Sequence, residues 1–184
     1  MSDKPMHIAF ILVDEVKTGV MRGGMLITDA NGKPVEFRCT SPIKPNAVQK
    51  TLYGNTLMPH IASELVGLPL LVNAQTKPSV VLVQQEEFLS MRAKQELPLI
   101  LARRQGQDMK VATEENSSSP EELVTSPSGK FAPIVLTSHW DFAGDIAQCK
   151  QALGSAFATC DLLEPFERVR AALATVHEQG VLSE

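Results

Sequence analysis

Residues 35–71 constrain the fold of this chain more than any other stretch. They read VEFRCTSPIKP, then NAVQKTLYGNTLMPHIASELVG, then LPLL. Val35, Phe37 and Cys39 alternate with Glu36, Arg38 and Thr40, the pattern of a half-buried antiparallel strand. Pro42 and Pro45 end that strand, because proline cannot donate to a ladder. Asn46 suits a helix N-cap, and Gln49, three residues on, can reciprocate in a capping box. Tyr53, Leu57, Ile61 and Leu65 then recur every four residues and line one helix face. Pro59 sits inside that pattern and predicts a kink or break near Met58, and Gly67 suits the residue after the helix.

The flanking sequence extends this unit. Residues 7–13 fit a central strand buried on both faces, ending at Asp14-Glu15. Residues 20–28 form a second strand, in which Gly23-Gly24 predicts a bulge or a close backbone approach. Asn31-Gly32 is a strong hairpin signal. Three consecutive antiparallel strands therefore open the fold. Downstream, residues 79–83 (SVVLV) read as a buried strand, 86–95 as a helix and 99–102 as another strand. Residues 105–130 are rich in Ser, Pro, Gly and charge, and read as a flexible loop or linker. Residues 131–137 are strand-like. Residues 145–157 carry Ile146, Leu153 and Phe157 on one helix face. Asp161 is placed to cap a last helix, with Glu164 and Pro165 in its first turn.

The expected fold class is α/β: a mixed sheet of five to six strands opened by an antiparallel three-stranded meander, in the order βββ-α-β-α-β, with C-terminal helices. Residues 1–104 would form the α/β core and 105–130 a flexible polar insertion. Residues 131–184 would supply a strand and a helical pair packed on the same core.

Composition narrows the setting. Cys39, Cys149 and Cys160 are an odd number, and no leader-like apolar segment opens the sequence, which points to a reducing, cytoplasmic compartment. No apolar run reaches the roughly 18 residues that would span a bilayer, so no membrane association is expected. The net charge of -4 is uneven. Residues 1–111 hold 13 basic and 10 acidic residues, a balance of +3, whereas residues 112–184 hold 4 and 11, a balance of -7.

The element order is similar to that of the ribonuclease H-like superfold. Active members of that superfold use carboxylates on the first strand, first helix, fourth strand and last helix to hold two divalent ions that activate water. That resemblance implies Asp14, Glu64, Glu86 (or Glu87) and Asp141 (or Asp145) as metal ligands for Mg²⁺ or Mn²⁺. Two departures stand out: Asp14 lies at its strand's end, and the fourth strand runs into Gln84-Gln85. Cys149, Cys160 and His139 lack the close pairs that structural zinc sites use. No glycine-rich phosphate loop occurs. His139-Trp140-Asp141 follows a buried strand, with Trp140 expected to close the core and Asp141 to cap the next helix.

No complete catalytic constellation is visible. The sequence alone therefore points first to a non-catalytic protein-interaction or assembly module of the cytoplasm, with no cofactor and an unidentified protein partner. Tyr53, His60, His139 and Trp140 would form its interface or a ligand wall, since aromatic anchors dominate such surfaces. The alternative is a ribonuclease H-like, metal-dependent nuclease acting on nucleic acid.

Overall fold

Strand β1 (His7–Lys17) holds six consecutive buried residues, 8–13, because it is covered on both faces. The fold, seen in a computed structural model that describes residues 6–106 and 119–181, is built outward from it. On one side β1 pairs antiparallel with β2 (Val20–Asp29), which pairs antiparallel with β3 (Pro34–Cys39). On the other side it pairs parallel with β4 (Val80–Val83), which pairs parallel with β5 (Leu99–Arg104). Two further antiparallel strands follow, β6 (Glu121–Val124) and β7 (Ile134–Ser138). The sheet order is β3-β2-β1-β4-β5-β7-β6. The opening meander and mixed sheet are as expected, but the sheet has seven strands among the described residues. The extra one, β6, lies inside the segment read as a linker.

The two faces of β1 feed two cores. Ile8, Phe10 and Leu12 pack under α4 (Gly144–Thr159) and α5 (Glu164–Val181), where the rings of Phe10 and Phe166 meet edge-on at 5.4 Å. Ala9, Ile11 and Val13 pack under the segment between β3 and β4 and under the 3₁₀ helix Glu86–Lys94. Burying each such large side chain contributes about 1.5–3 kcal/mol. The helix expected over residues 86–95 is present as a 3₁₀ helix and buries Phe88, Leu89 and Met91.

Gly23 and Gly24 show why β2 needs two glycines. A Cβ on Gly23 would stand 2.1 Å from Val66 Cγ1, and one on Gly24 would stand 2.7 Å from Val169 Cγ1. Helices press on β2 from both faces at consecutive residues, which is the close approach the sequence signalled. The β2–β3 hairpin turns through Gly32 at φ 78°.

The segment after β3 departs most from expectation. α1 (Ala47–Tyr53) has the capping box: Gln49 N–H donates to Asn46 Oδ1 at 2.8 Å and Asn46 N–H to Gln49 Oε1 at 2.9 Å. The helix then breaks at Gly54 (φ 51°) into a 3₁₀ turn, Gly54–Thr56, not at Pro59. α2 (Leu57–His60), a π-helical stretch (Ile61–Gly67) and α3 (Leu68–Asn73) follow without interruption. Gly67 does not end the helix; a Cβ there would lie 2.3 Å from Met91 Sδ, so its role is packing. The break and the π stretch shift the helical phase. Ile61, Ala62, Val66 and Leu70 face the core, while Tyr53 and Leu65 are left 38% and 42% exposed. The edge strand β3 is less buried than its alternation implied, with Val35 46% exposed.

Among the described residues no helix is long and apolar enough to cross a membrane.

Candidate nucleic-acid interface

The parallel strands β1, β4 and β5 end at one edge of the sheet. Backbone pairing of β1 with β4 stops at Ile11 opposite Val83. Two residues on, the side chain of Gln85 continues it: Gln85 Oε1 accepts from Val13 N–H at 2.9 Å and Nε2 donates to Val13 C=O at 2.7 Å. A primary amide carries the same donor and acceptor as a peptide group, so it can stand in for one rung of the ladder. Gln84 alternates with Leu82 and so turns toward α5. There Arg170 Nη2 donates to Gln84 Oε1 at 2.7 Å and Nη1 donates to Glu167 Oε1 at 2.9 Å. Arg170 lies one helical turn beyond Phe166, whose packing on Phe10 sets its height over the sheet.

Gln84, Ala102, Arg103, Glu167 and Arg170 line a cleft of about 380 Å³. One arginine comes from β5 and one from α5. Arg103 donates to Glu121 on β6, which also accepts from Thr137 Oγ1 at 3.2 Å. Beside the cleft, burial pushes the Glu86 carboxyl above its usual range; Glu87 and then Glu121 push the same way, and Arg103 opposes them. The edge therefore presents two guanidinium groups held by partly exposed carboxylates, a set that can bind an anion by exchanging partners.

The carboxylates expected as metal ligands are not gathered. Asp14 lies on β1 and accepts the N–H of Glu15. Glu64 lies on the π-helical stretch, on the other face of the sheet, and pairs with Lys94. Glu86 stands at the β4 edge. Asp141 is exposed, in a 3₁₀ turn (Trp140–Phe142), where His139 Nδ1 rather than a carboxylate caps the backbone. Asp145, its alternative, is 2% exposed and committed elsewhere: it accepts Arg92 Nε at 2.6 Å, Arg92 Nη2 at 3.1 Å and Leu99 N–H at 3.1 Å. Among the described residues, no three His, Cys, Asp or Glu side chains form a group that could hold a metal ion.

The aromatic candidates fall at two places. Trp140 is 59% exposed and stacks on His139 at 5.4 Å, so it does not close the core as expected. Tyr53 and His60 meet at 4.8 Å and 34°, and help to line a second cleft, of about 140 Å³. The thiols of Cys149 and Cys160 are poor nucleophiles. Burial raises Cys149 well above the ordinary thiol range, and burial raises Cys160 in spite of Arg168.

No protein-family model and no curated protein matches the chain. Solved structures do. The catalytic domain of human Endonuclease V aligns over 98% of this chain and 85% of its own, with a TM-score of 0.50 and 10% identity. The fold is ribonuclease H-like. Ciona intestinalis Endonuclease V in complex with an inosine-containing DNA aligns over 80% of this chain and 78% of its own, with TM-score 0.46 and 12% identity. Aa-Ago with externally bound siRNA aligns over 91% of this chain and 28% of its own, with TM-score 0.44 and 12% identity. The likeness to an Endonuclease V catalytic domain overturns the expectation of a non-catalytic protein-interaction module.

The divalent ions that the ribonuclease H-like fold implies do not fit the residues at this edge. Hard cations of this kind need anionic oxygen ligands. β4 ends in two neutral amides, both already hydrogen-bonded within the protein. Sequence reasoning found Gln84 and Gln85 as departures but missed Arg103 and Arg170 as a pair. Nothing in their spacing, 67 residues apart, could have joined them without the sheet order.

Proposed function

We propose that this chain acts on nucleic acid, holding a phosphodiester strand at the carboxyl ends of β1, β4 and β5. One observation carries this: Arg103 and Arg170, from β5 and α5, face a common cleft with the amide of Gln84. Arginine forks match phosphate oxygens in geometry and charge. Sharing a fold with an Endonuclease V catalytic domain supports the same end of the sheet as the working edge, since open α/β sheets take ligands outside the carboxyl ends of their strands. Among the described residues no group of carboxylates stands ready at that edge, so what these side chains supply is a grip on the strand. The cytoplasm, where RNA and DNA are both met, is the compartment this reading takes.

The test is fluorescence anisotropy with labelled single-stranded RNA and DNA, with strand integrity followed on gels in Mg²⁺, in Mn²⁺ and in chelator. Saturable binding that weakens about tenfold or more in Arg170→Ala supports the proposal, with or without cleavage. Binding that is absent at physiological salt, or untouched by the substitution, overturns it.

A further inference from the structure

The most regular periodicity in the chain lines an open cleft, and of its four residues only Ile61 is buried in the core. Tyr53, Leu57, Ile61 and Leu65 line it together with Ile43, Lys44 and Gln49. Tyr53 is 38% exposed, and its neighbour on α1, Leu52, is 78% exposed. α1 buries no residue at all. A helix that buries no residue, yet ends in a tyrosine set against His60 of α2 in a cleft, calls for an occupant.

Charge identifies its chemistry. Between Glu36 and Glu64 the sequence has no acidic residue, and it holds Lys44 and Lys50, in a chain of net charge -4. The capping box at the start of α1 uses Asn46 and Gln49, neutral residues where Asp and Glu would serve equally well. A cleft walled by a tyrosine and a histidine, with Lys44 on its rim and no acidic residue in its lining, fits a flat, unsaturated ring attached to an anion. Its position agrees. Ile43 bridges Met21, which pairs with Glu15 near the carboxyl end of β1, so the cleft opens at the end of the sheet that bears Arg103 and Arg170.

We infer that the Tyr53–His60 cleft is a stacking site for an unpaired nucleobase of a strand whose backbone crosses the arginine edge. This rests on the strand-binding function proposed above. A stacked base predicts dependence on the base itself, which a phosphate contact does not.

The experiment compares an ordinary single strand with one carrying abasic sites, in the full chain. Tyr53→Ala is expected to weaken binding of the ordinary strand about tenfold and to leave the abasic strand unchanged. Tyr53→Phe is expected to retain binding of both. Equal affinities for Tyr53→Ala and wild type on the ordinary strand, with Arg170→Ala still weakening it, would overturn the stacking site alone. No effect of either substitution would overturn strand binding as well. A change in sedimentation of the nucleic-acid-free protein on Tyr53→Ala would assign the cleft to a second copy of the chain and also overturn the inference.

Discussion

Arg170 Nη2 lies 2.7 Å from Gln84 Oε1, so a long cation on α5 is tied to the residue that ends β4. With Nη1 on Glu167 of its own helix, the guanidinium is fixed at the cleft between a carboxylate and an amide. A neutral amide orients it without cancelling its charge. Gln84→Glu is expected to form an ion pair with Arg170 and compete with phosphate, lowering single-strand affinity several-fold in an anisotropy titration. Thermal stability should stay near wild type, since the site is only partly buried.

Asp145 and Arg92 form the most enclosed ion pair in the described structure, with side chains 3% and 13% exposed. Arg92 also lies over the Phe142 ring at 4.1 Å. Removing the carboxylate would strand a buried guanidinium and the Leu99 N–H. Asp145→Ala should destabilise the fold by about 3–5 kcal/mol in urea unfolding. Asp141→Ala, at an exposed site, should stay within about 0.5 kcal/mol of wild type.

Much of the architecture was legible because it depends on local chemistry. The Asn31-Gly32 turn, the Asn46–Gln49 capping box and the tight approach at Gly23-Gly24 each need particular residues at particular places. Where the sequence misled, a non-local fact decided. The four-residue stripe from Tyr53 to Leu65 looked like a core face, but the 3₁₀ turn at Gly54 and the π stretch rotated the buried side onto Ala62, Val66 and Leu70. Glu121–Val124 looked too polar to pair, yet β7 gives it a ladder at the sheet's edge. Trp140 looked like a core plug, but it is 59% exposed and stacks on His139. The arginine edge was invisible because strand order, not spacing, brings β5 and α5 together.

Gly23→Ala and Gly24→Ala test the double-sided packing of β2. Each added methyl meets a side chain closer than contact allows. Losses of about 1–3 kcal/mol are expected, larger for Gly23, where Val66 must move further. Chemical denaturation of the two variants would measure this, and a stabilised Gly23→Ala protein would refute the packing described.

Glu36 provides a pH signature. Burial works against its charge, but Gln75 N–H at 3.0 Å, Thr76 N–H at 2.7 Å and Arg38 Nε at 2.5 Å hold its carboxyl down to about 2 against a usual 4.5. The folded state therefore favours the charged form. Its contribution is complete above about pH 4.5 and is lost as pH falls toward 2. Urea unfolding at pH 7 and pH 3 should show a smaller loss on acidification in Glu36→Gln than in wild type. Equal losses would mean that the latch between β3 and the loop after α3 does not couple to protons.

Strand binding at the arginine edge is tested most directly by the salt dependence of single-strand affinity in wild type, Arg103→Ala and Arg170→Ala. Each arginine that meets a phosphate should make the slope of log K against log salt shallower by about 0.7 when removed. Two shallower slopes, each with weakened binding, are expected. Parallel slopes at unchanged affinity would contradict the proposal and leave the cleft without a ligand.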